Sequence, residues 1–348
     1  MINQERSFAA RLIEWQARHG RHDLPWQSSR DPYRVWLSEI MLQQTQVATV
    51  LGYFQSFVKR FPRLDVLAGA PLGDVMEAWS GLGYYARARN LHACASMLMQ
   101  DHGGRFPEAP EALAALPGIG RSTANAIAAF CFGARVAILD GNVKRVLCRH
   151  FGVEGYPGQA AVDQQLWRLA ESLLPERDVA SYIQAQMDLG ASLCSRNQPD
   201  CQRCPLSATC VARAQGSAGR LPQRKPGRIL PERQTRVLLL THSERVLLIA
   251  RPPAGIWGGL LSLPELPDGA DPQRYAADQL GCAVTRFEEM RPLRHSFTHF
   301  RLTLLPLAGP AQRLPRVAEP AGENWLNRTA IASAALPAPI RKLLSLYV

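Results

Sequence analysis

The first part of the chain has a helical pattern of apolar residues. From Ser7 to about Gln215 they recur at intervals of three and four positions, and Pro or Gly stands at the breaks between runs. This period predicts a mostly α-helical region whose second helix contains a break. The predicted helices are Ser7–His19, Tyr33–Phe61, Leu72–Trp79, Tyr84–His102, Pro110–Ala115, Arg121–Phe132, Gly141–Phe151, Val162–Leu174 and Val179–Leu189.

Beyond Thr235 the pattern changes to short apolar runs typical of strands, RVLLL, RVLLIA and RLTLLPL, with a helical stretch at Ala276–Leu280. The intervening segment contains six Gly and Pro residues among several Arg and Lys, as expected for a basic linker. A chain of 348 residues also exceeds the usual size of one core. We therefore expect an all-α domain over residues 1–215, a linker over 216–234 and an α+β domain over 235–348.

The formal net charge of +11 favours a polyanionic partner, either nucleic acid or an anionic membrane surface, although a basic surface also serves solubility alone. No apolar run is long enough to span a bilayer, so no membrane insertion is expected. The N-terminal segment MINQERSFAARLIEW lacks the apolar stretch of a signal peptide. We expect an intracellular protein, cytoplasmic or nucleoid-associated, in a reducing compartment.

Four cysteines in the run LCSRNQPDCQRCPLSATC are separated by six, two and five residues. Thiolates suit a soft metal centre, and the polar, Pro-containing loop is poorly suited to forming a core, which favours an iron–sulfur cluster. Structural zinc is the main alternative, although it usually takes two short Cys pairs. Disulfides are a further alternative without other support in the sequence. The predicted ligands are Cys194, Cys201, Cys204 and Cys210.

The segment LPGIGRST, at residues 116–123, connects two predicted helices. Gly118 and Gly120 allow a tight turn and expose backbone N–H groups at the start of the second helix, where the helix dipole favours an anion. A side chain at either glycine is expected to obstruct that approach. A phosphate-binding hairpin and a simple helix-connecting turn both fit this segment taken alone.

Two carboxylates stand in settings that favour chemistry. Glu39 shares a predicted helix face with Gln43 and Gln46 and has no Lys or Arg partner there, which indicates the wall of a polar cleft rather than a salt-bridged surface. Asp140 precedes the helix Gly141–Phe151 and is expected to cap it, a contact worth about 1 kcal/mol. A cap is compatible with a catalytic role.

Cleavage of a sugar–nitrogen bond needs a protonated acid on the leaving-group side and an ionised carboxylate near the positive charge that develops on the sugar. Glu39 lies beside Trp36 and Leu42, whose apolar surfaces are expected to raise its pKa and keep it protonated. Asp140 lies at the positive end of a helix and is expected to stay charged. The pair fits this chemistry.

Four further segments, LSEIMLQQTQV, GLGYYARARNL, LPGIGRSTANAI and ILDGNVKRVL, precede the cysteine run in this order. Together they resemble the adenine DNA glycosylases of the MutY type, within the helix-hairpin-helix glycosylases that carry a 4Fe-4S cluster. The resemblance implies a mostly α N-terminal catalytic region, with a six-helix helix-hairpin-helix module and a cluster module, followed by an α+β Nudix-like domain. It also implies a monomer that flips adenine out of double-stranded DNA and removes it when it is paired with 8-oxoguanine or guanine.

The resemblance further implies roles for individual residues. Glu39 matches the proton donor to the adenine ring, and Asp140 the carboxylate that stabilises the sugar cation or its covalent successor. Asn142 matches a residue near that sugar. The remaining matches are Gln44 and Tyr84, which wedge into the duplex around 8-oxoguanine, and Trp26 and Gln184 in the adenine pocket.

Position 122 separates two activities within this superfamily. Relatives resembling endonuclease III, which also cleave the strand, carry a Lys just after the hairpin, whereas this chain has Ser122. Without that amine a Schiff base with the sugar is not expected, so the chain is predicted to be monofunctional, with Lys144 as a source of weak strand nicking. A bifunctional glycosylase/lyase and a non-catalytic damage-binding protein are the alternatives.

The C-terminal region resembles the Nudix-fold extension of these glycosylases. Gly258–Leu280 lacks the Glu-rich helix that binds metal in Nudix hydrolases, so pyrophosphate hydrolysis is not expected. The segment RHSFTHF resembles the loop that inspects 8-oxoguanine, where the usual Phe-Ser-His core is here Phe297, Thr298 and His299. Thr298 retains the hydroxyl and adds a methyl group.

Overall fold

Helices dominate the first two thirds of the chain, and a mixed sheet dominates the last third. The structure is a computed structural model that describes residues 7–227, 229–252, 255–314 and 323–347. The chain divides into two units. The first contains residues up to Gly69 together with Asn90–Gly227, and the second contains Ala70–Arg89 together with the C-terminal region. In the described residues no helix combines the length and the apolar character needed to cross a membrane.

The predicted helical region is confirmed, and the long second helix is broken between Leu42 and Val47. The helices up to residue 214 are α1 (Phe8–His19), α2 (Pro32–Leu42), α3 (Val47–Arg60), α4 (Leu64–Gly69), α5 (Leu72–Ala78), α6 (Ala86–Asp101), α7 (Pro110–Ala114), α8 (Arg121–Phe132), α9 (Gly141–Phe151), α10 (Ala160–Ser172), α11 (Val179–Ala191) and α12 (Val211–Ala214).

Local signals fix the ends of several of these helices. Ser7 and Asp31 cap α1 and α2 by accepting hydrogen bonds from the backbone N–H groups of Ala10 and Tyr33. Gly133 and Gly152 end α8 and α9 in left-handed conformations, with φ of 71° and 65°. The helices that flank residues 133–140 therefore begin and end at defined positions.

The core of the first unit lies where α1, α8, α9, α10 and α11 meet, and Leu12, Val143, Leu147 and Ile183 are fully buried in it. Gly190 allows α11 to approach α9 closely. A Cβ at Gly190 would lie 2.5 Å from Cβ of Asn142, well inside van der Waals contact. The N-terminal turn of α9 is therefore packed directly against the end of α11.

A mixed sheet forms the centre of the second unit, with strand order β3-β2-β1-β8-β5 and a parallel pairing of β1 with β8. The short strands β6 and β7 also pair with β8, β4 pairs with β1, and β9 pairs with β2. The strands are β1 (Glu232–His242), β2 (Arg245–Ala250), β3 (Leu261–Ser262), β4 (Glu265–Leu266), β5 (Cys282–Val284), β6 (Glu288–Glu289), β7 (Leu293–Ser296), β8 (Arg301–Arg313) and β9 (Glu323–Asn327). The helices after β4 are α13 (Pro272–Leu280), α14 (Arg328–Ser333) and α15 (Ala338–Tyr347).

Alternate residues of β1 enter different cores, as expected for a sheet covered on both faces. Val237 and Leu239 pack in one cluster with residues of α15, whereas Leu238 and Leu240 pack in another with residues of α13. The C-terminal region is therefore the α+β domain that the change of period predicted.

The segment Ala70–Arg89 packs with the second unit, although its helical pattern had placed it within the domain of residues 1–215. Tyr85 Oη donates to the Leu336 carbonyl at 3.2 Å, and Arg89 Nη1 donates to the Gly258 carbonyl at 2.8 Å. Such bonds join residues far apart in sequence, so the local pattern does not show them. Strand β1 also begins at Glu232, within the segment expected to be linker.

Candidate active site

The first unit contains a cavity of ≈ 1130 Å³ between α2, α8, α9, α11 and the connection that precedes α2. Six of the residues predicted from sequence line it together. They are Trp26, Glu39, Ser122, Asp140, Asn142 and Gln184.

Glu39 reaches this cavity because the rest of α2 is anchored in the core. Trp36, Leu37 and Met41 on the other faces of the helix are fully buried, so the carboxyl group is left on the cavity side. Gln43 and Gln46 also line the cavity, although α2 ends before them, so the predicted polar wall is retained without a continuous helix.

The environment of Glu39 favours its protonated form. Burial, and secondarily the negative charge of Asp140, raise the pKa of Glu39 from 4.5 to about 8. The prediction of a raised pKa is thus supported, and at neutral pH this carboxyl group retains its proton.

Asp140 caps α9 as predicted. Its Oδ1 accepts from the Val143 N–H at 2.8 Å and its Oδ2 accepts from Asn142 Nδ2 at 3.2 Å. Burial raises the pKa of Asp140, while these two donors and the charge of Arg145 act to lower it. The helix terminus alone therefore does not set its charge, and the hydrogen bonds favour the ionised form.

Arg145 links the two sides of this site and was not identified from the sequence. Its Nη2 donates to Asn142 Oδ1 at 2.8 Å and to the Gly190 carbonyl at 2.5 Å. Its Nε donates to the Cys194 carbonyl at 2.8 Å. The only local signal was its place one turn after Asn142, on the same side of α9.

The Ser122 hydroxyl forms a hydrogen bond with the backbone in the cavity wall. Its Oγ accepts from the Leu139 N–H at 3.0 Å, directly before Asp140. Lys144, the other residue considered for amine chemistry, forms an ion pair with Asp163 at 2.8 Å. Neither residue presents a free amine to the cavity.

The two glycines of the hairpin differ. Gly118 has φ of 78°, and a Cβ there would lie 2.7 Å from Cβ of Asn90, so glycine is required by the turn itself. Gly120 caps α8 with φ of −88°, and a Cβ there would meet no protein atom within 4 Å. A side chain at Gly120 would therefore leave the fold intact and could obstruct only an approaching ligand. Neither glycine lines the cavity.

The two predicted wedge residues each adopt a left-handed backbone conformation, which is uncommon for residues other than glycine. Gln44 has φ of 57° in the exposed break between α2 and α3, and it does not line the cavity. Tyr84, in the second unit, has φ of 49° and an exposed fraction of 49%. Both side chains are accessible from solvent.

The four cysteines of the loop line a second cavity in the first unit together with Arg149 and Arg213. None of these four cysteines forms a disulfide bond. In the described part of the chain, no three His, Cys, Asp or Glu side chains are placed around a single metal ion.

Arg149 organises this cysteine loop from a buried position. The residue is 2% exposed, and its Nη1 donates to Cys194 Sγ at 3.3 Å and to the Ser195 carbonyl at 2.7 Å. Its Nε donates to the Leu221 carbonyl at 2.8 Å. A buried guanidinium beside four soft sulfur ligands fits an anionic thiolate-bound group.

In the second unit, Phe297, Thr298 and His299 lie at the tip of the hairpin between β7 and β8. Phe297 stacks on the buried Phe300 with ring centroids 4.4 Å apart, and its N–H donates to the Phe300 carbonyl at 2.9 Å. Thr298 and His299 are exposed between them. The stacked pair thus holds two polar side chains outward.

Comparisons with known proteins agree with this arrangement. A family model described as an HhH-GPD superfamily base excision DNA repair protein matches residues 37–172, and a NUDIX domain model matches residues 236–346. Fold and site therefore define a base excision DNA repair protein with a Nudix-like C-terminal domain.

Relatives that match over nearly the whole chain assign it to a more specific family. The adenine DNA glycosylase of Buchnera aphidicola subsp. Acyrthosiphon pisum (strain APS) is 34% identical over 341 residues, covering 97% of this chain and 96% of that protein. The adenine DNA glycosylase of Homo sapiens is 31% identical and covers 98% of this chain and 74% of that protein. A solved structure of a thermostable thymine-DNA glycosylase matches with a TM-score of 0.54 at 27% identity, over 60% of this chain and 95% of that chain. The chain belongs to the adenine DNA glycosylase family.

Because the pKa of Glu39 is about 8 in the folded chain and near 4.5 when unfolded, the folded state retains a proton that the unfolded state loses between these values. Stability is therefore lost as the pH rises through this window. Glu39→Gln cannot ionise and is expected to be more stable than the native protein at pH 8 by about 4 kcal/mol, with a much smaller difference near pH 4. Denaturant unfolding at both pH values measures this, with the exposed Glu111→Gln as control. An equal difference at both pH values would contradict the assigned pKa.

Proposed function

We propose that this protein removes adenine paired with 8-oxoguanine or guanine in double-stranded DNA, by hydrolysis of the bond between the base and its sugar. The observation that supports this most directly is the placement of Glu39 and Asp140 in one cavity, where burial keeps the proton on Glu39 while the Asp140 carboxylate accepts from the Val143 N–H and from Asn142 Nδ2. A damage-binding protein without turnover has no need for such a pair.

The reaction divides between the two carboxyl groups. With adenine flipped into the cavity, the protonated Glu39 donates its proton to a ring nitrogen, so the base leaves as a neutral molecule when the bond to the sugar breaks. The ionised Asp140, with Asn142 beside it, stabilises the positive charge that develops on the sugar. Water then adds to the sugar carbon and gives up a proton, which restores the protonated Glu39, and the DNA strand stays intact.

The proposed reaction is monofunctional because neither Ser122 nor Lys144 places an amine to attack the sugar. Ser122 is bonded to the backbone of Leu139, and Lys144 is paired with Asp163. A bifunctional lyase mechanism requires an amine nucleophile, which neither side chain supplies in this arrangement.

Glu39→Gln tests the proton-donor role. The amide retains the shape of the side chain but has no acidic proton, so single-turnover release of adenine from an A·8-oxoguanine duplex should fall by roughly 10²–10⁴-fold. Binding of the same duplex should change little. Strand breaks should appear with the native protein only after alkali treatment. Full release by Glu39→Gln, or breaks without alkali equal to those with it, would contradict the proposal.

We infer that Cys194, Cys201, Cys204 and Cys210 bind a 4Fe-4S cluster, as this glycosylase class typically does. The shared cavity and the buried Arg149 support this inference. No step of the reaction requires the cluster, because the two carboxyl groups supply the chemistry. When bound, it would fix the fold of a loop whose exposed arginines, Arg196, Arg203 and Arg213, carry positive charge for phosphate contacts.

Cys201→Ser should lose iron and acid-labile sulfide and should unfold at a lower temperature than the native protein, because the loop depends on its bound group. The matched control is Cys131→Ser, a partly buried thiol outside the loop, which should retain the native iron content. The iron, zinc and acid-labile sulfide contents and the unfolding temperature are measured for the native protein and both variants. Equal iron in both variants, or zinc in the native protein, would contradict a four-cysteine iron–sulfur site.

We further propose that Phe297, Thr298 and His299 inspect the 8-oxoguanine base. The exposed hydroxyl and imidazole can bond the edge of a purine, and the Phe297–Phe300 stack orders them for that contact. Arg294 and Arg301, exposed on either side of the hairpin tip, add positive charge for a phosphate.

His299→Ala should lower the ratio of adenine release rates on A·8-oxoguanine and A·G duplexes roughly tenfold, as expected when a single hydrogen bond is lost. Release from A·G should change little. The exposed His102→Ala in the first unit is the control and should keep the native ratio. An unchanged ratio in His299→Ala would exclude this side chain from lesion recognition.

A further inference from the structure

Asp188 is a buried carboxylate at the edge of the candidate active site to which the proposed reaction gives no role. It lies in the last turns of α11, and its side chain is 2% exposed. An ionised carboxylate in such a position is stable only when it is well bonded. Its partners therefore indicate what it holds in place.

Two of these partners line the cavity, and they come from different elements. Arg21 donates its backbone N–H to Asp188 Oδ2 at 3.0 Å and its Nε to Oδ1 at 2.7 Å. Gln184, one turn earlier on α11, donates its Nε2 to Oδ1 at 2.9 Å. Arg21 begins the connection that continues to Trp26, so Asp188 joins two walls of the same cavity.

The chemistry of a carboxylate fixes the orientation of the Gln184 amide. Ionised Asp188 can only accept hydrogen bonds, so the NH₂ group of Gln184 must face it. The carbonyl Oε1 of Gln184 is then the end of the amide that is left for a molecule in the cavity. A free glutamine would offer either end.

A fixed carbonyl distinguishes bases by the group at the purine six position. Adenine carries an amine there, which donates, whereas guanine and hypoxanthine carry an oxygen, which accepts. An acceptor that cannot turn bonds the amine and opposes the oxygen.

We propose that Asp188 is a positioning residue that sets base specificity, by holding the Gln184 amide with its carbonyl toward the exocyclic amine of the flipped base. The inference rests on the proposed adenine-releasing function. Asp188 itself does not touch the base. Its ion pair with Arg21 holds the carboxylate in the orientation that Gln184 requires.

The test compares three duplexes in which 8-oxoguanine faces adenine, purine without the amine, or hypoxanthine. Single-turnover release is measured for the complete native protein and for Asp188→Asn. The ratio of adenine to purine release should fall about tenfold in Asp188→Asn, the size of one lost hydrogen bond, while hypoxanthine release gains relative to adenine. Comparing ratios between variants removes the intrinsic difference in how readily each base leaves.

Gln184→Leu keeps the test decisive if Asp188→Asn does not fold, because Gln184 is only partly buried. It should lower the same ratio equally, and the double variant should lower it no further, as expected for residues that act through one contact. The exposed ion pair of Arg63 with Asp65 supplies a control in Asp65→Asn, which should keep the native ratio.

An equal loss of adenine and purine release in Asp188→Asn would assign Asp188 a merely structural role and overturn the inference, and so would a native ratio in Gln184→Leu. In both cases the native protein still releases adenine, so the proposed function stands. Absence of adenine release by the native protein overturns the proposed function instead.

Discussion

The contact between the N-terminal turn of α9 and the end of α11 controls the geometry of the candidate site. Only glycine at position 190 leaves room for Asn142, which lies 2.5 Å from where a Cβ would stand. Asn142 in turn donates to Asp140, and Arg145 bonds both Asn142 and the Gly190 carbonyl. A displacement of α11 would therefore move the carboxylate, because Asn142, which donates to it, is held in this contact.

Burial in this cavity raises the pKa of both Glu39 and Asp140, but the hydrogen bonds that the two groups accept differ. Glu39 is destabilised as an anion and so keeps the proton that the proposed chemistry needs, at a cost to folding above its ordinary pKa. Asp140 lies in the same cavity, but its carboxylate accepts from the Val143 N–H and from Asn142 Nδ2, and both bonds act to lower its pKa. The hydrogen bonds to Asp140 thus oppose the effect of burial on its pKa, whereas the causes that shift the pKa of Glu39 all raise it.

Local sequence was sufficient where local interactions decide the structure. Helices α8 and α9 were predicted to the residue, because Gly120, Gly133, Asp140 and Gly152 cap their ends. Arg145 and the pairing of Arg21 with Asp188 were missed, since they depend on residues 45 and 167 positions apart. Ala70–Arg89 was assigned to the first domain for the same reason. Its helical period is a local pattern, whereas the hydrogen bond from Tyr85 to Leu336 that ties it to the second unit joins residues far apart in sequence.

The Ser122 hydroxyl belongs to the backbone hydrogen bonding that leads into Asp140. It accepts from the Leu139 N–H, the residue that leads directly into Asp140. A lysine at this position would bring an amine but would remove the acceptor, leaving a buried N–H unpaired at a cost of about 1–3 kcal/mol. One side chain cannot supply both, so the hydroxyl that bonds the backbone directly before Asp140 and the amine of a lyase exclude each other at position 122.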